Sequence, residues 1–122
     1  MVSISSLQMF HDSAGVELVG HFSGFPPSVS VVRPDWSFAP EKDIHLGSPT
    51  TLPTETDCHE IVFRIEGFPT PRHIYLFLRD ADSEQEVWRD NYLLMADGEV
   101  KGLDSDPNSL FQCGYIASRP RL

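Results

Sequence analysis

The stretch EIVFRIEGFP, residues 60–69, alternates apolar and polar side chains and then runs into Gly-Phe-Pro. Ile61, Phe63 and Ile65 fall on one side, and Glu60, Val62, Arg64 and Glu66 on the other. That is the period of a strand with one face on a core. Gly67 can take a left-handed backbone conformation, while Pro69 fixes φ and lacks a donor, so the strand stops and turns there. ELVGHFSGFP, residues 17–26, shows the same layout 43 residues earlier, with Glu, Val, Gly, Phe and Pro in common. The match reads as two hairpins that need the same turn chemistry, with duplication as the alternative. The flanks are rich in Val, Ile, Phe and Tyr, which suit a pleated surface, and the chain reads as an antiparallel β protein.

Outward from these stretches the pattern continues. Ser3 to His11 and Val16 to Ser23 flank the turn cluster Asp12-Ser13-Ala14-Gly15 and form a hairpin. Val29 to Arg33 is a short third strand. Residues 34–57 carry Pro34, Pro40, Pro49 and Pro53 and read as a long surface loop, with Ile44 to Leu46 pairing at an edge. His73 to Arg79 is apolar on both sides, so it is either covered on both faces or displays an aromatic surface. Ser83 to Ala96 admits two readings. Ser83 and Glu86 resemble a helix capping box, whereas Asp97-Gly98 between Tyr92–Ala96 and Glu99–Leu103 is a hairpin signal, and the strand is preferred. Leu110 to Ser118 closes the sheet.

The sum is an all-β, single-domain antiparallel β-sandwich of about eight strands over residues 1–118, with a short helix near 84–96 as the alternative and residues 119–122 as a tail. The second half resembles the immunoglobulin-like superfold. A strand led by Cys58 is followed by an aromatic strand that pairs with it, and a late strand carries Phe111-x-Cys113. The chain is also similar to the jelly-roll sandwiches of carbohydrate-binding modules. Both resemblances imply a fold and no particular activity.

Composition narrows the partners. The 122 residues are 40% hydrophobic and 22% charged, with a net charge of −9. That is enough chain for one self-supporting core. Its field opposes binding to nucleic acid through phosphates and to anionic membrane surfaces. Met1 to Gly20 holds no basic, apolar leader and no segment is long enough to span a bilayer, so the expectation is a cytoplasmic protein. A signal missing from this chain would make it secreted or virion-associated. Cys58 and Cys113 read as free, buried small residues, or as a single bridge in an oxidising compartment.

Two groups of side chains carry candidate chemistry. Tyr75 and Phe77, with Trp88 and Tyr92 on the next strand, form an aromatic set whose polar contacts come from Arg89, Asp90 and Asn91. Flat rings with such a rim suit a protein partner or a sugar. Asp80-x-Asp82-x-Glu84 and Asp104-x-Asp106-x-Asn108 place alternate oxygen ligands in loops, as Ca²⁺ requires, although Ser109 replaces the bending Gly of a calcium loop. The same residue types also make good turns without any ion. The histidines lack zinc spacing, adjacent Cys58 and His59 point to opposite faces, and no phosphate loop or nucleophile elbow is present.

The resulting expectation is a non-enzymatic module that engages a protein through its aromatic strand face, with no required cofactor. The alternatives are a carbohydrate-binding module with structural calcium and an acidic inhibitor or immunity-type protein. A homodimer through an edge strand is a further expectation.

Overall fold

Strands are the sole regular elements in the computed structural model, which describes residues 1–11, 15–39, 43–66, 72–95, 100–102 and 119–120. They are β1 (Ser3–His11), β2 (Val16–Ser23), β3 (Val31–Phe38), β4 (Thr50–Thr51), β5 (His59–Ile65), β6 (Arg72–Asp80), β7 (Glu86–Leu94), β8 (Val100–Gly102) and β9 (Arg119–Pro120). A four-stranded sheet has the order β5-β2-β1-β9, and a five-stranded sheet the order β4-β3-β6-β7-β8. Neighbours are antiparallel, except that β9 runs parallel to β1. The expected all-β sandwich is therefore present, and no helix occurs among the described residues.

The core lies between the two sheets. Leu7, Leu18, Phe22, Ile61, Phe63 and Ile65 face it from one side, and Val32, Ile74, Leu76, Leu78, Tyr92 and Leu94 from the other. Ile61, Phe63 and Ile65 all point inward, as their alternation requires. Phe22 reaches across the interface and meets the ring of Trp88 edge-on, 4.8 Å between centroids.

The first Gly-Phe-Pro segment does not close a hairpin. It carries the chain from β2 in one sheet to β3 in the other, and the connection from β5 to β6 makes the same passage. The second Gly-Phe-Pro, residues 67–69, lies outside the described residues. β5 and β6 consequently sit in different sheets and do not pair, contrary to the pairing expected for the Cys58-led strand. Instead β2 pairs with β5, and β3 with β6. Because both pairings are antiparallel, the two strand–crossover–strand units face each other head to tail. In the four-stranded sheet the equivalent residues Val19 and Val62 are direct partners. On either side of them Glu17 meets Arg64 in an ion pair and Glu60 lies 3.4 Å from His21 Nε2, two contacts related by the same local dyad.

Three local expectations change, and the preferred strand reading of residues 86–94 holds. β3 continues through Pro34 to Phe38, where the Pro-rich loop was expected to begin. Trp36 exchanges backbone hydrogen bonds with His45, so the even-numbered residues of β3 face away from β6. The missing donor of Pro34 thus falls on the edge side, between Thr50 and His45, where no ladder bond is lost. Residues 86–94 form a strand, and Ser83 accepts the Gln85 amide in a turn instead of capping a helix. Arg119 and Pro120, expected in a tail, pair with Phe10 and His11. Cys58 is exposed, because the inward Ile61, Phe63 and Ile65 set a parity that turns His59 in and Cys58 out. Cys113 and residues 110–118 lie outside the described residues.

Gly24 has φ +84°, and a side chain there would collide with the Met1 carbonyl. Gly24→Ala should therefore cost about 1–3 kcal/mol of unfolding free energy, read by urea denaturation.

Candidate functional site

The alternation of β6 divides its residues cleanly. Ile74, Leu76 and Leu78 point into the core and are fully buried. His73, Tyr75, Phe77 and Arg79 point to the outer face. The register then dictates their neighbours. Tyr75 lies between Ser37 and Asn91, Phe77 between Asp35 and Arg89, and Arg79 between Arg33 and Glu86. The outer face is thus three strands wide, with a ring column at its centre.

Stacking and ion pairs order this face. The Tyr75 ring lies 4.9 Å from His73 and 6.5 Å from Phe77. His73 Nε2 and Asn91 Oδ1 are joined by a 2.8 Å hydrogen bond. The guanidinium groups of Arg89 and Arg79 lie 4.8 and 5.9 Å from the Phe77 centroid, over its ring. Such contacts favour a cation on an aromatic face. Phe77 is only 5% exposed despite its outward position, while Tyr75 is half-buried.

Asp35 anchors the arrangement. Its carboxylate is fully buried and accepts from Arg33 Nε at 3.0 Å, Arg33 Nη2 at 3.0 Å and the Gly47 amide at 2.9 Å. Arg79 Nε stands 3.5 Å away. Arg33 also donates to Glu84 at 2.7 Å. Hydrogen bonds to Asp35 and then Glu84 hold Arg33 far above its ordinary pKa, and Glu86 raises Arg89 in the same way. Three arginines and three carboxylates therefore concentrate on one face of an acidic chain, fixed in planar, directional pairs.

The expected binding set divides between the two faces. Tyr75, Phe77, Arg89 and Asn91 come together outside. Trp88, Asp90 and Tyr92 do not join them, because Trp88 is opposite inward Leu78, Asp90 opposite Leu76 and Tyr92 opposite Ile74. Trp88 packs on Phe22 and Phe63, and the fully buried Tyr92 donates to Asp90 Oδ2 at 3.3 Å. The sequence reading missed Arg33, Asp35 and Arg79. The signal available was the i, i+2 spacing of Arg33 and Asp35, obscured by the intervening Pro34.

The first acidic loop is a tight turn. Asp80 Oδ1 accepts the Asp82 amide at 3.0 Å, and the Asp80 carbonyl accepts the Glu84 amide at 2.9 Å. Glu84 sits at φ 63° with its carboxylate on Arg33. Among the described residues no group of three or more His, Cys, Asp or Glu side chains could hold a metal ion. Asp104, Asp106 and Asn108 lie outside the described residues. No described helix is long and apolar enough to cross a membrane.

Comparison with protein-family models, with curated proteins and with solved structures gives no significant match.

Two predictions follow from these burials. Asp35→Ala would leave Arg33 and Arg79, whose side chains are 14% and 24% exposed, without their shared carboxylate. The expected loss is about 3–5 kcal/mol of stability in urea denaturation. Burial first, and the Asp90 charge second, push the Tyr92 hydroxyl far above its ordinary value. In the unfolded chain that group ionises near pH 10, so its contribution is intact below about pH 10 and is lost as pH rises further. Melts at about pH 8 and about pH 11 should show a larger alkaline drop for wild type than for Tyr92→Phe.

Proposed function

We propose that this chain is a non-enzymatic interaction module that meets a protein partner on the outer face of its five-stranded sheet. The reading takes the sandwich as a scaffold of the immunoglobulin-like or jelly-roll kind. One observation carries it: a half-exposed Tyr75 sits at the centre of a face that is otherwise locked by ion pairs and ring stacking. Tyr and Arg dominate the energetics of protein interfaces, because they offer large rigid area with directional polar groups. Arg33, Arg79 and Arg89 are held in place here by Asp35, Glu84 and Glu86, so little side-chain freedom remains to be lost on binding. The surrounding charge is balanced, unlike the chain as a whole, so an acidic or neutral partner surface is not repelled at this place.

A photo-crosslinking residue at position 75 tests the assignment. It should trap a discrete partner from the native cell extract, while the same residue at position 62, on the outer face of the other sheet, should not. With that partner purified, Tyr75→Ala and Arg89→Ala should each weaken binding by about tenfold or more, at nearly unchanged melting temperature. Equal trapping at both positions, or full affinity in both variants, would remove the proposal.

A further inference from the structure

β5 is the last strand of its sheet, and its far edge has no backbone partner among the described residues. The other outer strands, β9, β4 and β8, contribute two, two and three described residues, whereas β5 contributes seven. Natural sheets blunt their edges with short strands, proline, lysine or a bulge. The β5 sequence HEIVFRI has no proline, glycine or lysine, and its pairing with β2 runs without a register shift. A regular edge of this length presents open donors and acceptors to another strand.

The outward residues of β5 define which strand fits. Glu60, Val62 and Arg64 form an acidic, apolar and basic row. β2 complements that row on its own side, with Glu17 opposite Arg64, Val19 opposite Val62 and His21 opposite Glu60. An antiparallel copy of β5 offers the same order of charge to the open side. Centred on Val62, it sets Glu60 opposite Arg64 of the second copy, and Arg64 opposite Glu60 of the second copy. Side chains directly opposite one another attract when their charges differ and repel when they match. On the core side Ile61 meets Phe63 of the second copy, so the buried face continues across the junction.

Neighbouring registers fit less well. Centring on Phe63 would oppose Glu60 to Glu66, and centring on Ile61 would leave Glu60 opposite Val62 and Arg64 opposite Cys58. A slip of one residue would set outward side chains against core ones. The segment Leu46–Thr50 borders the same row across an open gap of about 330 Å³ and makes no backbone hydrogen bond to β5.

We propose that β5 pairs antiparallel with β5 of a second copy of this chain, about a twofold axis at Val62, and joins the two four-stranded sheets into one. The contact is isologous, so the Glu60–Arg64 pair is made twice. The added strand also covers Leu46, which lines the gap and is 66% exposed. Contact at position 62 joins two copies of this chain and traps no other protein, so it is read separately from the Tyr75 face.

Sedimentation equilibrium of the purified chain should show a reversible monomer–dimer equilibrium. The Glu60 and Arg64 side chains are 63% and 70% exposed, so charge reversal leaves the core in place. Glu60→Arg and Arg64→Glu should each weaken the dimer by about tenfold or more, because like charges then face each other twice. Mixing the two variants in equal amounts should restore association, as a heterodimer in which both contacts again join opposite charges. With Cys58 and Cys113 replaced by Ser, Val62→Cys should form an interchain disulfide on mild oxidation, whereas Glu60→Cys, offset from its own copy in this register, should not. A wild-type chain that stays monomeric at about 1 mM, a dimer indifferent to either reversal, no recovery on mixing, or absence of the disulfide at position 62 would overturn the proposal.

Discussion

The contact between Phe22 and Trp88 joins the two sheets, and the rest of the arrangement depends on it. Phe22 comes from β2 and Trp88 from β7, and Phe63 of β5 completes the ring cluster at 6.3 and 6.4 Å. Burying rings of this size contributes about 1.5–3 kcal/mol each, and edge-on geometry adds about 0.5–1.5 kcal/mol per pair. With Trp88 directed inward, the period of two along β7 leaves Arg89 and Asn91 outward. The same constraint thus builds the core and populates the outer face.

The crossovers have a comparable effect. Each takes the chain from the four-stranded to the five-stranded sheet, so β2 and β5 become neighbours in one layer while β3 and β6 become neighbours in the other. The β3–β6 register then brings Asp35 beside Phe77, and Arg33 beside Arg79. The outer face is thus a consequence of connectivity as much as of composition. The first crossover also forms one wall of a cleft that shares no lining residue with the aromatic face.

What the sequence disclosed follows from where a residue's environment is local. The inward Ile61, Phe63 and Ile65 are legible because three apolar residues alternate with polar ones. The two-sided character of β6 is legible because five consecutive apolar residues leave no polar face. The orientation of β7 is not. Trp88-x-Asp90-x-Tyr92 and Val87-x-Arg89-x-Asn91 are both mixed faces, and only the register with β6, including the irregularity at Leu78/Arg79, decides between them. Of the candidate face, Tyr75 and Phe77 were therefore readable, whereas Arg89 and Asn91 could be named only together with their inward neighbours. The Arg33–Asp35–Arg79 network was not readable, since it joins residues of two strands distant in sequence. Pro34 hid it further, because whether a proline ends a strand depends on which edge its nitrogen faces.

The central claim is that Trp88 turns into the interface while Tyr75 turns away from it. A NOESY spectrum of the isotopically labelled protein measures this directly. The account predicts strong cross-peaks from the Trp88 indole to the rings of Phe22 and Phe63, and from Tyr75 to Phe77 and His73. Cross-peaks from Trp88 to Tyr75 or Phe77, with none to Phe22, would contradict it.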